Sequence, residues 1–449
     1  MGFSDNISTE QRWNRMKGKI CKIKSRKNEI IGEYKQREIL KKFVSDLNSD
    51  LEKILILPPD YTRKHSGAGQ LSAILYFLLK QKYRAEKSDI KIMPALGTHN
   101  QMTETEIRDM FGRKIPLKEF IVHNWREDTV SIGEIPSDYV KQISEGKVNM
   151  EIDVEVNRRL VNDKYDLIVS IGQVLPHEVV GMANYNKNIF VGCGGEDIIN
   201  KSHFIGAVYG MERLLGKDHS PVRKIYDYSE KNFLQDIPLV YILIVNSTEI
   251  NPDTGLTDMK GLFIGEKRDI FEQAVELSQK VNINRISGPV EKVIVYLDRE
   301  EFKSTWLGCK AIYRTRKIIA DGGELLIIAP GLKQFGEDEQ IDALIRKYGY
   351  IGKEKILKLT GENKDLRNNL SVAAHLIHGS TNDRFRVSVA CKHLSRQEIE
   401  SVNFNYISLD RVLEKYNPDR LVSGFNQING EKVYFVENPA TGLWDTTKN

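Results

Sequence analysis

Short runs of Val, Ile and Leu recur along the chain: KILIL (53–57), DIKIMPAL (89–96), DLIVSI (166–171), VYILIVN (240–246), KVIVYL (292–297) and ELLIIAP (324–330). Helix-length stretches separate several of them. Runs that are apolar throughout, with no polar alternation, mark strands buried on both faces, and such burial belongs to parallel sheets flanked by helices. The expected fold class is therefore α/β, with two doubly wound domains, mainly parallel sheets and an interdomain active-site cleft. A chain of 449 residues exceeds what one hydrophobic core organises, which also points to two domains. The segment SQKVNINRISGPVEK (278–292) is polar, carries a Gly-Pro and separates two strand series. It sets the expected boundary, with an N-terminal α/β domain over 1–285 and a C-terminal α/β domain over 286–449. The closing NPATGLWDTTKN (438–449) reads as an irregular tail able to pack back onto the first domain.

Composition excludes several classes. Hydrophobic residues at 40% and charged residues at 29% describe an ordinary soluble globular chain. A net charge of +4 over this length, with no dense basic stripe interleaved with aromatics, argues against nucleic acid. The basic RWNRMKGKICKIKSRK (12–27) has no apolar core like that of a signal peptide and reads as a solvated segment. No apolar run approaches the roughly 18 residues of a membrane span, so no membrane partner is expected. Cys21, Cys193, Cys309 and Cys391 are scattered without CxxC spacing, which supports neither a zinc ribbon nor a disulfide framework and suits a reducing cytoplasm.

In open α/β sheets, ligands bind beyond the carboxyl ends of the strands. After KILIL comes PPDYTRKHSGAGQ, which puts Asp60 and Arg63 at a strand end before a helix expected from about Gln70. An arginine there can grip a carboxylate or phosphate in two-pronged fashion, and the aspartate can orient a neighbouring base; a surface ion pair is the alternative. After DIKIMPAL comes GTHNQMTETEI, where Thr103 and Glu106 have capping-box spacing and leave His99 on the strand-to-helix loop. After DLIVSI comes PHEVVGMANYNKNIFVGCGGEDIINKSHF (176–204), a glycine-rich stretch read as one loop carrying His177, Lys187 and His203. Packing has no use for three such side chains on a turn, so the stretch marks a site. Two strand-end histidines, His99 and His177, could pass protons at neutral pH.

Other motifs have bland readings. His375 and His378 have HxxH spacing on a probable helix, AAHLIHG, but no nearby carboxylate or cysteine completes a metal set, so they read as structural. His65, His123, His219 and His393 sit among polar neighbours and read as surface residues. HEVVG has Gly181 where a zinc protease needs its second histidine. GxGxxG between strand and helix, GxxxxGK[ST] and GxSxG are all missing, so classical nicotinamide, P-loop and serine-hydrolase chemistry is not indicated.

Together, DYTR (60–63), GTHNQMTETE (97–106), PH (176–177), KNIFVG (187–192) in place of a K-S-I-x-P-G pattern, and His203 beyond it resemble the lactate racemase family, whose members use a nickel-pincer nucleotide. The resemblance spans about residues 50 to 335. It implies an isomerase that inverts the C2 carbinol of a 2-hydroxy acid by reversible hydride transfer to that cofactor. It further implies that Lys187 carries the cofactor covalently and that His203 ligates nickel. His99 and His177 become the two acid/base residues, Asp60 supports the adjacent histidine, and Arg63 binds near the substrate carboxylate. STWLGCKAIYRT (304–315) resembles the family stretch with a substrate-contacting lysine, here Lys310. The implied partners are a small 2-hydroxy acid and the enzymes that build the cofactor.

The chain departs from the lactate pattern at Leu307, where those enzymes carry glutamine, and at Asn186 and Asn188 beside Lys187. Such changes alter the contacts to the substrate tail and leave the redox centre alone. The expected substrate is therefore a longer, polyhydroxylated acid of the gluconate type, with a lactate- or malate-like acid as the alternative. A cofactor-free lyase of the same fold and a non-enzymatic small-acid binder stand as other classes, and a covalent anchor at Lys187 discriminates against both.

Overall fold

The structure, a computed structural model, describes residues 21–24, 29–48, 50–83, 88–251 and 253–447. Of the basic stretch 12–27 only residues 21–24 fall inside that description, and the last two residues of the chain also lie outside it. The chain divides into two compact units. The first is Met1–Leu175, Met182–Ile199 and Arg223–Val281; the second is Pro176–Gly181, Asn200–Val222 and Asn282–Asn449.

The first unit is built on a six-stranded sheet ordered Cys21–Lys24, Thr257–Gly265, Leu239–Ile250, Leu167–Gln173, Lys53–Leu57 and Asp89–Ile92. The last four strands are mutually parallel, and the first two join antiparallel at one edge. The apolar runs explain this directly. Ile54, Ile56, Val169, Ile171, Ile242 and Ile244 pack on one face against Leu40, Phe43, Leu71, Leu75 and Leu79 of the helices Glu33–Asp46 and Ala68–Lys82. Their neighbours Leu55, Leu57, Ile168, Tyr241 and Leu243, which point to the other face, are equally inaccessible. DIKIMPAL stops being a strand at Ile92, since Pro94 offers no N–H to a ladder.

The second unit repeats the plan with the order Asn405–Ser408, Arg386–Cys391, Ile319–Ile328, Val290–Tyr296, Glu431–Val436 and Gly424–Ile428. All its pairs are parallel except the last. Val293, Val295, Leu325, Ile327, Val387 and Val389 face one core, and Ile294, Leu326, Ile328, Val433 and Phe435 face the other. Both units are thus α/β with mainly parallel sheets. The closing segment, expected to be irregular, contains the strand Leu443–Thr446, paired in parallel with Ile283–Ile286. Leu443 is fully buried, and that burial holds the short pairing.

In the first unit the chain runs from Lys53–Leu57 out to its neighbour Asp89–Ile92, then returns to Leu167–Gln173 on the opposite side. Strand order reverses at that place. Its carboxyl end is where a doubly wound sheet opens a crevice for a ligand.

Candidate functional site

The residues of interest fall into two groups, one in each unit. In the first unit, Asp60 follows the strand Lys53–Leu57 at its carboxyl end and precedes a 3-10 turn, Tyr61–Ser66. Gly67, left-handed at φ 72°, ends that turn and lets the helix Ala68–Lys82 begin. His99 sits on the turn before the helix Glu104–Phe111, whose capping box of Thr103 and Glu106 forms as the sequence predicts. The two side chains meet: His99 Nδ1 lies 2.5 Å from Asp60 Oδ2. Asp60 also accepts from Thr62 Oγ1 at 2.6 Å. Burial opposes its charge, yet His99, the Thr62 hydroxyl and the Arg63 guanidinium together hold the carboxyl below its ordinary value. Asp60 therefore stays ionised and fixes the proton of a neutral His99 on Nδ1, which leaves the lone pair of Nε2 for another molecule. The Arg63 Nη1 is buried with no hydrogen-bond partner among the described residues.

Lys187 opens a short helix, Lys187–Phe190, and both its neighbours are tied down. Asn188 donates to Leu57 O at 3.1 Å and to Ser170 Oγ at 2.9 Å, bridging the two strands between which strand order reverses. Asn186, fully buried, donates to Asp227 Oδ1 at 2.7 Å and Glu230 Oε2 at 3.0 Å, and accepts from Arg223 Nη1. Arg223 Nη2 also holds the carbonyls of Met182 and Asn184. These bonds stabilise a backbone that is left-handed at two consecutive non-glycine residues, Asn184 (φ 64°) and Tyr185 (φ 60°). Strain of that kind persists only where the surroundings over-determine it, and it clusters at functional sites. Gly172 is required here, since a Cβ on it would lie 1.8 Å from Asn184 Nδ2. Lys187 is thereby held at the carboxyl ends of the central strands. The Cys193 thiol nearby is buried and its pKa is pushed up to about 12, so it is inert.

In the second unit, His177 is buried and its Nδ1 accepts the backbone N–H of Val179 at 3.1 Å. Glu178 Oε1 lies 4.0 Å from His177 Nε2, and Glu178 Oε2 lies 3.5 Å from Nη2 of the fully buried Arg314. Arg314 Nη1 donates to Pro176 O, which ties the histidine's own segment to the helix Lys310–Thr315. Burial works against the Glu178 charge, but His177, Arg314 and Lys310 hold its carboxyl well below the usual range. Lys310 is buried as the first residue of that helix, with Nζ 5.6 Å from the centre of the Phe302 ring. Leu307 packs half-buried against the core of this unit.

Several expectations need correction. The stretch 176–204 is not one loop: His203 stands within the helix Glu196–Tyr209, because EDIINKSHFIGAVY keeps its apolar residues at helical spacing. His123 is buried, not at the surface. Its ring fills the space under the glycine-rich turn, with Nε2 3.2 Å from Gly194 O and Nδ1 2.9 Å from Asn157 Nδ2, and burial lowers its pKa to about 4. His65 is half-buried, while His219 and His393 are exposed as expected. His375 is structural as predicted, both nitrogens meeting the hydroxyls of Tyr313 and Tyr350 at 2.8 Å.

Sequence reasoning missed Glu178, Arg314 and Gln173. Glu178 lies inside HEVVG, where the missing second histidine removes the only motif that would single it out. Gln173, buried at the end of the central strand, finds no partner for either side-chain atom among the described residues. An amide left in that condition is costly unless a ligand completes it.

A doubly wound α/β unit with a carboxylate–histidine pair and a braced lysine at strand ends has these groups where such sheets hold ligands. Residues 2–213 match the family described as the lactate racemase N-terminal domain, so this part of the chain is similar to that domain. Its fold is similar to a crystal structure of a Thermotoga maritima protein, with a TM-score of 0.81 and 24% identity over 94% of this chain and 100% of that one. It is also similar to the lactate racemase apoprotein of Thermoanaerobacterium thermosaccharolyticum, with a TM-score of 0.68 and 16% identity over 96% of this chain and 95% of that one. None of the curated proteins compared with the chain matches it.

Proposed function

We propose that this protein is a 2-hydroxyacid racemase or epimerase that works with a nickel-pincer nucleotide. The observation that carries the reading is the pairing, in a chain whose residues 2–213 match the lactate racemase N-terminal domain, of an Asp60-oriented His99 with a lysine braced at the carboxyl ends of the two central strands. The residues present fit the cofactor. Lys187 supplies an amine for covalent attachment, His203 an imidazole suited to nickel, and the unpartnered amide of Gln173 a donor and an acceptor for a polar group. When bound, the cofactor would supply a reversible hydride acceptor for C2.

The chain's own residues handle the protons and the substrate. His99 takes the hydroxyl proton at Nε2 while Asp60 stabilises the imidazolium that forms. His177 serves the hydroxyl of the opposite enantiomer. Arg63, with a buried and unpartnered Nη1, binds the carboxylate, and Lys310 and Leu307 meet the rest of the substrate. Leu307 in place of glutamine supports a gluconate-type acid over lactate.

Protein matured with the cofactor-building enzymes should show a mass adduct on the peptide bearing Lys187 and should erase the optical rotation of a single-enantiomer 2-hydroxy acid. An unmodified lysine in protein that still racemises would overturn the cofactor assignment. An unmodified lysine with no activity on any acid would favour a binder or a lyase.

A further inference from the structure

The two histidines of the proposed reaction are held by opposite kinds of partner. On His99, Nδ1 faces the Asp60 carboxylate at 2.5 Å; a carboxylate held ionised by its surroundings can only accept, so Nδ1 carries a proton and, in the neutral ring, Nε2 presents a lone pair. On His177, Nδ1 faces the backbone N–H of Val179 at 3.1 Å; an amide N–H can only donate, so Nδ1 carries the lone pair and Nε2 the proton. The Glu178 carboxylate, 4.0 Å from that Nε2, favours a proton in the same place. At Nε2, by this assignment, one histidine is an acceptor and the other a donor.

We infer that the resting protein is primed for one hand of its substrate: His99 is the base in the ground state, and His177 is a hydrogen-bond donor that must first leave the Val179 amide to act as a base. This rests on the racemase reading. The enantiomer whose hydroxyl faces His99 gives its proton to Nε2 at once, while C2 passes its hydrogen and the electron pair to the bound redox cofactor, leaving a 2-keto acid and a His99 imidazolium beside Asp60. For the opposite enantiomer, Nε2 of His177 is already occupied. That ring must take up a new tautomer with the proton on Nδ1, which breaks the bond from Val179 N–H and leaves a buried amide hydrogen unpaired. The asymmetry belongs to the backbone and not to the substrate, and neither histidine reveals it in the sequence.

The test reads the protons directly. In the full-length chain labelled with 15N in its histidine rings, long-range proton–nitrogen spectra should place the proton of His99 on Nδ1 and that of His177 on Nε2. Asp60→Asn should move the His99 proton to Nε2 and leave His177 as it was. A proton on Nδ1 of His177, or the same tautomer on both rings, would overturn the inference whether or not the protein is active. In cofactor-loaded enzyme the first turnover to keto acid should then be at least about tenfold faster from one enantiomer, and Asp60→Asn should slow that enantiomer far more than its mirror image. Equal first turnovers would refute the priming. Opposed tautomers in a loaded protein that forms no keto acid from either hand would uphold the proton assignment and count against the racemase reading instead.

Discussion

The surroundings of His99 and of His177 differ although the residue type is the same. Around His99 the chain supplies one carboxylate in hydrogen-bond contact, itself favoured in its charged form by Arg63, on a turn between a strand and a helix. Around His177 it supplies a backbone N–H, a carboxylate just beyond hydrogen-bond distance and a fully buried arginine that binds both that carboxylate and the carbonyl of the preceding Pro176. The first arrangement leaves a base; the second leaves a clamped donor. Equivalent residues in a reaction scheme need not be equivalent in their resting state, and it is the groups bonded to Nδ1 that decide.

The largest effect is expected at the proposed cofactor anchor. Lys187→Ala should abolish both the mass adduct and racemisation, and activity retained without an adduct would remove the cofactor from the account. Next come the histidines. His99→Asn and His177→Asn should each lower net inversion by about 10²- to 10⁴-fold, yet each variant should still form keto acid from the one enantiomer that the remaining ring serves. Equal loss of both half-reactions in both variants would erase the contrast drawn here.

Glu178→Gln sharpens the comparison at the level of stability. It removes the carboxylate that faces the buried Arg314, and a cost of about 3 kcal/mol is expected in chemical denaturation, with no comparable loss on replacing an exposed glutamate. The pH dependence follows in sign. Asp60 and Glu178 are both depressed, so their contribution is whole above the unfolded carboxyl range near pH 4 and is lost as the pH falls through their lower folded values. The buried imidazoles His123 (about 4) and His375 (about 3) stay neutral in the fold while the unfolded chain protonates below about pH 6.5. Stability should therefore fall in two stages on acidification, and Glu178→Gln should flatten only the lower one. The smallest effect is Leu307→Gln, which should shift preference among 2-hydroxy acids by about 1–3 kcal/mol in relative kcat/KM without stopping turnover. Loss of turnover on every acid would place Leu307 in the reaction itself.

Much of this was legible in the sequence, for physical reasons. Val/Ile/Leu runs buried on both faces announce parallel strands, and Thr103 with Glu106 announces a helix start, because each pattern has few alternatives. Asp60 and His99 could be named because both follow such strands. The rest depends on contacts remote in sequence. That Asn188 would bridge Leu57 and Ser170, that Arg314 would reach Pro176, or that His123 would lie under Gly194 follows from tertiary packing that no local pattern encodes. His203 was expected on a loop because glycines precede it, but the helical apolar spacing after Gly195 prevails.

The central claim is inversion by hydride movement with histidines handling only the hydroxyl proton. The most direct measurement follows a single-enantiomer 2-hydroxy acid deuterated at C2, in ordinary water, with cofactor-loaded protein. The account predicts that optical rotation decays to its equilibrium value while deuterium stays on C2 of the inverted product. Decay of rotation with the label lost to solvent would show proton abstraction at carbon and contradict it.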